Sequence, residues 1–519
     1  MAVRQPLVTV FTLLIVALSF LPIANGGQST QKYNENISPE SENQAKRLES
    51  GLPFIRTFNY KDYKAKPQNW AVVQDNSGMI YVANSDGVLE FDGKRWRTIK
   101  ISNGTVGRSI AIAPNGRIYV GAIGEIGYLD QDINGLTRYV SLMDKIPVKY
   151  RDFADVWQIY ATKKGMVFTS FQRIFRLNGD QFDSWVPSTS YHLGFQVGDR
   201  LFAREKKVGL FELVDDKFVL VKGGEKFANE RIYAMLPWHH NGQPAILIAT
   251  RTQGFWVYDQ AGFTHWPTDI EQQLNNDLIF PVIHLNDTTL AIGTLQKGVY
   301  FVDHNGRQIA HLSTREGLPD NAILALTPDK EGGLWIATDN GLARAEMNNP
   351  LTLFDERRDL VGVSYLVYRH QEQLVVGTTH GLFMLQPGAR ASFKQLDGIV
   401  GQTWDVASIG EEMLVANYLG MYSIYGNTVT QLSDLDSVMS IHPSHRAKNR
   451  VFVGLREGLI VMQRDQDQWR ISDKIKGIND EIRTIYEEES GVLWLGTKAT
   501  GVIRVTFVDH DFDSLTSPL

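Results

Sequence analysis

Aromatic and polar side chains recur together at one kind of place along this 519-residue sequence, just before or within short apolar runs. Aromatic faces stack on the CH groups of sugar rings, and neighbouring amides, carboxylates and guanidinium groups hydrogen-bond to hydroxyls. This composition predicts a non-catalytic site that binds an extracellular ligand such as an oligosaccharide. The alternative is that Trp70, Trp157 and Trp404 are core residues wedged between neighbouring elements. The candidate binding residues are Asn69, Trp70, Asp155, Trp157, Arg231, Asn321, Tyr365, Trp404, Asp405 and Asn479.

Motifs for catalysis, metals and cofactors are weak or missing in the sequence. The chain has no cysteine, which excludes disulfides, thiol nucleophiles and cysteine metal sites. His442 and His445 have i, i+3 spacing but no third ligand beside them, so a turn is the better interpretation. We expect no catalytic residue, no metal and no cofactor. An enzyme acting on polysaccharide, a lyase or a glycosidase, stays as the alternative, because two carboxylates aimed at one pocket are not recognisable from spacing.

The clearest apolar runs lie in residues 316–345 and predict three short strands at 321–327, 334–338 and 342–345. A Gly-rich turn at 328–333 separates the first two strands, and Asp339, Asn340 and Gly341 separate the last two. Asn-Gly between apolar runs is a strong hairpin signal. Residues 269–276 and 42–49 are the only stretches with mild helical character. A helical repeat is therefore not indicated.

The same unit recurs along most of the chain, at spacings of 35 to 47 residues. A period of about 40–45 residues with several strands is typical of β-propeller blades. The predicted fold class is therefore all-β, a β-propeller made of about eleven four-stranded blades. The units align on Gly87, Gly127, Ile174, Gly209, Gly254, Gly298, Gly341, Gly381, Gly420, Gly458 and Gly501.

Eleven blades do not fit one ring, because closed propellers usually have about 4–8. We expect two propellers in tandem or a truncated double propeller within residues 51–519, with the break between rings near 310–320. Residues 54–59 precede the first unit and are predicted to be an outer strand that completes the last blade of its ring.

Residues 320–345, DNAILALTPDKEGGLWIATDNGLARA, closely resemble the repeat of the two-component regulator propellers. Residues 67–93 and 478–505 match the same pattern, and the resemblance extends over residues 51 to about 515. It is weak at 156–177, 191–213 and 438–462. The resemblance implies a periplasmic sensor region in which two seven-bladed propellers bind a signal, often a carbohydrate. In that family a β-sandwich and a membrane helix carry the state to a cytoplasmic kinase, cyclase or DNA-binding output.

The chain departs from the family plan in having eleven recognisable units and little sequence after residue 505. The expectation is a truncated gene product, or a stand-alone sensor that works through a membrane-bound signalling partner. A scaffold whose blades bind another protein is a further alternative.

The N-terminus predicts export. Residues 1–26 have the layout of a signal peptide, or of an uncleaved anchor, and residues 27–50 form a polar linker. The predicted location is therefore periplasmic or secreted. The net charge of −6 argues against a dedicated nucleic-acid binder, and the sequence leaves the oligomeric state open.

Overall fold

A computed structural model describes residues 49–507 except 389 and 467. The predicted signal segment at 1–26 and nearly all of the predicted linker lie outside the described residues. The described part belongs to one compact unit, residues 45–519. It contains eleven antiparallel sheets, ten with four strands and the last with three. The predicted fold class, an array of β-propeller blades, is confirmed.

Seven blades come first in the chain. Short helices α1 (Tyr60–Tyr63) and α2 (Glu271–Asp277) lie between strands, and the second of these overlaps the stretch 269–276 that shows helical character in the sequence. The strands are β1 Ile55–Phe58, β2 Asn69–Gln74, β3 Ile80–Asn84, β4 Gly87–Phe91, β5 Trp96–Ile99, β6 Gly107–Ile112, β7 Ile118–Ala122, β8 Glu125–Gln131, β9 Thr137–Ser141, β10 Val156–Thr162, β11 Gly165–Ser170, β12 Ile174–Asn178, β13 Gln181–Trp185, β14 Tyr191–Val197, β15 Arg200–Glu205, β16 Gly209–Val214, β17 Lys217–Leu220, β18 Ile232–His240, β19 Gln243–Thr250, β20 Phe255–Asp259, β21 Gly262–Trp266, β22 Ile279–Asn286, β23 Thr289–Thr294, β24 Val299–Asp303, β25 Gln308–Leu312, β26 Ile323–Pro328, β27 Leu334–Thr338 and β28 Gly341–Ala345.

These seven blades close into a ring, here called the first ring. The outer strand of the seventh blade is β1, which pairs antiparallel with β28, with Phe58 opposite Leu342. The inner strand β2 of the first blade packs on β26 and β27 of the seventh. Closing the ring through strands from both ends of the segment protects the sheet edges. The prediction that residues 54–59 complete the last blade of a ring is confirmed.

The seventh blade shows why the sequence adopts this arrangement. All five residues of β27 are buried, as expected of a strand covered on both faces. Gly341 begins β28 with a φ of +116°, in the left-handed region that favours glycine. A Cβ at Gly341 would lie 3.0 Å from the carbonyl oxygen of Phe58 in β1. The turn glycine therefore also makes room for the closing strand.

Four further blades, here called the second blade set, follow the first ring. Their inner strands pack on one another in chain order. The strand pairing places the change of ring between β28 and this set, after the predicted 310–320, because the blade at 323–345 takes β1 as its fourth strand. The strands are β29 Ser364–His370, β30 Gln373–Thr378, β31 Gly381–Gln386, β32 Ser392–Val400, β33 Thr403–Ile409, β34 Glu412–Asn417, β35 Gly420–Tyr425, β36 Thr428–Ser433, β37 Val438–Pro443, β38 Arg450–Leu455, β39 Gly458–Asp465, β40 Gln468–Ile471, β41 Ile482–Glu487, β42 Leu493–Thr497 and β43 Val502–Val505.

The two end blades of the second set expose apolar side chains. Val367 on β29 is 67% exposed, and Tyr486 on β41 is 62% exposed. The equivalent faces inside the first ring are covered by a neighbouring blade. Within the described residues, the second set is therefore an open arc. Among the same residues, no helix has the length and apolar character needed to cross a bilayer.

A short junction joins the first ring to the second blade set. The backbones of Leu52 and Leu353 hydrogen-bond to each other in both directions, at 2.8 and 2.9 Å. The buried carboxylate of Glu316 lies 3.4 Å from the guanidinium group of Arg390. The backbone carbonyl oxygen of Glu316 accepts a hydrogen bond from Arg357. Backbone and ionic contacts thus fix the two parts against each other.

Candidate functional site

Every inner strand of the eleven blades carries a β-bulge near its first residue. In β2, Asn69 and Ala71 pair with consecutive positions of β3, and Trp70 between them has no partner across the strands. A bulge re-aims the side chain of the extra residue. The bulge residues are Trp70, Arg108, Trp157, His192 with Leu193, Tyr233, Phe280 with Pro281, and Leu324 in the first ring, and Tyr365, Trp404, Met439 and Arg483 in the second blade set.

The bulge side chains of the first ring lie around its central channel. One cavity of about 220 Å³ is lined by bulge residues from all seven blades, including Trp70, Arg108 and Leu324. A second cavity of about 480 Å³ shares Trp157, Leu193, Tyr233 and Phe280 with it. The second cavity, here called the mouth cavity, is also lined by residues of the loops at the start of the inner strands. Its lining is Trp157, Phe171, Ser190, Tyr191, His192, Leu193, Arg204, Lys206, Lys207, Ala228, Asn229, Arg231, Tyr233 and Phe280.

Aromatic rings form a continuous wall along one side of the mouth cavity. Phe171 stacks on Trp157 with 5.5 Å between ring centroids and on His192 with 6.0 Å. His192 meets Tyr233 edge to face at 5.2 Å, and Tyr233 lies 4.9 Å from Phe280. This aromatic wall gives the cavity an apolar lining.

Trp157 and Trp70 link the wall to the channel through Arg108. The Arg108 guanidinium lies 3.9 Å from the ring centroid of Trp70 and 4.9 Å from that of Trp157. Its Nε donates to Asp155 at 2.5 Å. Cation–π contacts and an ion pair thus hold the two tryptophans and the arginine together.

Cationic side chains also line the mouth cavity. Arg204 is buried and donates to the carbonyl oxygens of Phe227, at 3.0 Å, and Ala228. Burial and the positive charge of Arg231 lower the pKa of Arg204. Lys206 and Arg231 are exposed at the rim. The cations therefore lie close enough together to repel one another.

His192 stays neutral in this environment. Burial and the positive charges of Arg204, Arg231 and Arg251 lower its pKa to about 3. The hydroxyl of Tyr233 accepts a hydrogen bond from Arg251 at 2.8 Å, which places this further cation behind the aromatic wall. His192 therefore adds an uncharged aromatic ring to the site over the physiological pH range.

Several buried polar atoms of the two cavities have no hydrogen-bond partner among the described residues. They are the indole Nε1 of Trp157, Nδ1 of His192, Oε1 of Gln158 and one terminal nitrogen of Arg108. Buried polar groups in proteins are rarely left without a partner. These atoms therefore offer hydrogen bonds to a bound molecule.

The structure brings three of the predicted binding residues to the cavities. Trp157 and Arg231 line the mouth cavity, and Trp70 lines the adjoining channel. Trp70 and Trp157 also pack against apolar clusters of the neighbouring blades. Each tryptophan thus has one face in the core and contributes to the channel lining as well.

Three other predicted residues have structural partners instead. Asn69 is fully buried and donates from its amide to the carbonyl oxygens of Pro67 and Gly341, across the seam that closes the first ring. Asn321 accepts from the backbone N–H of Thr314 at 2.8 Å. Asp155 forms the ion pair with Arg108 described above. None of the three is among the residues that line the two cavities.

The remaining predicted residues lie in the second blade set. Tyr365 and Trp404 face each other at 4.4 Å, and Arg483 lies 5.0 Å from the ring of Trp404. The carboxylate of Asp405 accepts from the backbone N–H of Val406 and Ile441, and burial raises its pKa. Asn479 is exposed before β41, outside this cluster.

Sequence reasoning found Arg231 but missed the other cationic residues and much of the aromatic wall. Arg108, His192, Tyr233 and Phe280 occupy the same bulge position as Trp70 and Trp157, so aligning the second residue of each inner strand would have found them. Lys206 and Lys207 lie in the turn between β15 and β16. Among the described residues, no group of three or more His, Cys, Asp or Glu is placed to hold a metal ion.

Comparisons with known proteins agree with the repeat and the fold. The family described as two component regulator propeller matches residues 317–340. No curated protein matches the chain in sequence. A solved extracellular domain assigned to the hybrid two-component system BT3049 of B. thetaiotaomicron is similar in fold, with a TM-score of 0.65 and 16% identity, over 90% of this chain and 66% of that one. The chain thus spans just under two thirds of the length of that neighbour.

Two further solved structures have lower similarity in fold. The extracellular domain of the one-component system BT4673 of B. thetaiotaomicron has a TM-score of 0.44 and 15% identity, over 87% of this chain and 66% of that one. A virginiamycin B lyase of Staphylococcus aureus has a TM-score of 0.42 and 10% identity, over 56% of this chain and 98% of that one. The described residues thus form eleven β-propeller blades, and residues 317–340 match the two component regulator propeller family.

Proposed function

We propose that the chain is a non-catalytic sensor propeller of a two-component-type signalling system, which binds a small extracellular ligand in the mouth cavity of the first ring. The observation that carries the proposal is the mouth cavity itself, about 480 Å³ in volume and lined in part by bulge side chains from four neighbouring blades. Ligand sites of small molecules commonly have volumes of about 300–1,000 Å³ and apolar walls with a few polar groups.

A carbohydrate is the first candidate ligand. The apolar rings of Trp157 and Phe171 suit contact with sugar CH groups, and the unpartnered nitrogens of Trp157 and His192 suit hydroxyl groups. The repeat at residues 317–340 and the similarity in fold to an extracellular domain of a two-component system support a location in the periplasm or outside the cell. A membrane-bound partner that receives the signal belongs to the same proposal.

The binding proposal is tested by comparing ligand-dependent thermal stabilisation in the wild type and in the Trp157→Ala variant. We expect some members of a glycan panel to raise the melting temperature of the wild type without being cleaved. A ligand that binds only the folded state stabilises that state by about 2.7 kcal/mol when its concentration is a hundredfold above Kd. Trp157→Ala should lose this shift.

Trp185→Ala is the matched control, because Trp185 lies on the outermost strand of the same blade. It should keep the shift. The proposal fails if the shift survives in Trp157→Ala, or if the wild type releases products from the panel. A fall in melting temperature of Trp157→Ala alone, with ligand shifts intact, would assign this tryptophan to the core.

A further inference from the structure

The charges around the mouth cavity are strongly one-sided. Four cationic side chains line it, namely Arg204, Lys206, Lys207 and Arg231, and Arg108 lines the adjoining channel. Of the described residues that line the two cavities, none carries a carboxylate. The whole chain has a net charge of −6, so this local excess of positive charge is a property of the site and not of the composition.

Three carboxylates near the cavities already have partners. Glu230 accepts hydrogen bonds from the backbone N–H and the hydroxyl of Thr252. Glu205 accepts from the hydroxyl of Ser188 and the backbone N–H of Thr189. Asp155 is paired with Arg108. The rim cations Lys206 and Arg231 have no ion pair among the described residues with any of these three acids.

The cations and the aromatic wall line the same space. Arg204 is held rigidly by the two carbonyl oxygens that it binds, whereas Lys206 and Arg231 extend from the rim. Trp157, Phe171 and Tyr233 are among the aromatic residues of the lining. A molecule that fills the cavity therefore meets aromatic side chains as well as the N–H donors of guanidinium and ammonium groups.

We propose that the ligand is an acidic sugar, a ring that stacks on the aromatic wall and bears an oxyanion, either a carboxylate or a sulfate ester, that binds Arg231 and Lys206. This inference rests on the proposed function and narrows its ligand class. Guanidinium and ammonium groups bind oxyanions by charge-assisted hydrogen bonds, which are roughly twice as strong as neutral ones. An anion also relieves the repulsion among the cations. A neutral sugar does neither.

Three monosaccharide probes test the inference with the full chain: methyl β-D-glucuronide, glucose 6-sulfate and the neutral methyl β-D-glucoside. Affinities are measured by ligand-observed NMR titration at low and high ionic strength. At least one charged probe should bind about tenfold or more tightly than the glucoside, because a hydrogen bond to a charged group contributes about 1.5–3 kcal/mol. The better of the two charged probes identifies the oxyanion as carboxylate or sulfate.

Arg231→Gln and Lys206→Gln should each weaken the charged probe severalfold and leave the glucoside unchanged. Arg138→Gln is the matched control, an exposed arginine on the outermost strand of the second blade. It should bind all probes as the wild type does. Raising the salt concentration should weaken the charged probe, because rim charges are screened.

If the glucoside and the glucuronide bind the wild type equally and neither binds Trp157→Ala, the inference of an acidic ligand is overturned. The proposed binding function then still stands. Failure of both charged probes to bind would overturn the acidic ligand as well. The glycan panel described above then decides the proposed function separately, through the difference between Trp157→Ala and Trp185→Ala. Loss of charged-probe binding in Arg138→Gln would show a general charge effect and would also contradict the inference.

Discussion

Replacing Phe58 with alanine is expected to weaken the closure of the first ring. Phe58 is the last residue of β1, the strand that completes the seventh blade, and it is 4% exposed. Its ring stacks on Trp335 of the same blade at 5.6 Å and contacts Phe91 and Trp96 of the first blade edge to face, each at 5.4 Å. One side chain thus joins the two blades that meet at the seam.

The size of the loss follows from this burial. Removing a buried phenylalanine side chain costs about 3–5 kcal/mol, which combines lost transfer free energy with the cavity left behind. The backbone pairing of β1 with β28 is unchanged by the substitution. We therefore expect about 4 kcal/mol, a large fraction of the roughly 5–15 kcal/mol that stabilises a typical domain.

Urea unfolding followed by tryptophan fluorescence and by circular dichroism measures this loss, and two probes are needed because the two parts of the chain can unfold separately. Phe54→Ala is the control. Phe54 lies just before β1 and is 44% exposed, so its removal should cost less than about 1 kcal/mol. If Phe58→Ala is no more destabilising than Phe54→Ala, β1 does not close the ring in the way the contacts indicate.

Three further substitutions give separate tests. Asp329→Asn should lower stability by about 2–3 kcal/mol in urea unfolding, because the buried carboxylate pairs with the partly exposed Arg344 at 2.5 Å; an unchanged midpoint would contradict a role for this pair. His192→Gln should flatten the fall in melting temperature between pH 7 and 4, because the unfolded chain takes up a proton near pH 6.5 that the folded site, with a pKa of about 3, does not; an unaltered slope would mean that His192 titrates normally. Burial raises the pKa of Glu316, but the hydrogen bond from the Ser313 hydroxyl and the nearby positive charges lower it by more. The pKa of Glu316 in the folded protein therefore lies below its usual value. The carboxylate therefore stabilises the fold above about pH 4.5 and ceases to do so as pH falls through its folded pKa. Glu316→Gln should destabilise at pH 7 and match the wild type near pH 2, and equal stability at pH 7 would show that the junction does not depend on this charge.

The fold was predictable because the same short-range sequence pattern recurs in each blade. Turn glycines, an apolar second strand and a polar outer strand recur at a nearly constant period, so even units with weak resemblance, such as 191–213, form four-stranded blades. The second and third strands of the clearest unit, predicted at 334–338 and 342–345, differ from the structure by at most one residue. The closing role of residues 54–59 was also predictable, since a free strand before a ring needs a partner.

The binding site was only partly predictable, because it depends on pairing between strands. A bulge is a mismatch of register between two strands, and no single strand shows it in its own sequence. Sequence reasoning therefore selected residues near the start of the inner strand and included Asn69 and Asn321, one and three residues before the bulge residue. The cations Arg204 and Lys206 come from the second strand and the turn after it, and the packing of the third blade against the fourth brings them beside Trp157.

In each blade, the side chain at the bulge position is available for ligand recognition because it takes no part in the pairing of the strands. A bulged residue forms no cross-strand pair, so its side chain varies without disturbing the ladder on either side. The first ring has Trp, Arg, Trp, His, Tyr, Phe and Leu at its bulges, and the second blade set has Tyr, Trp, Met and Arg. The bulges thus place aromatic side chains of four neighbouring blades around the mouth cavity of the first ring, and a smaller aromatic cluster around Trp404 in the second blade set. Ligand preference in such an array is set by side chains that the sheet itself does not need.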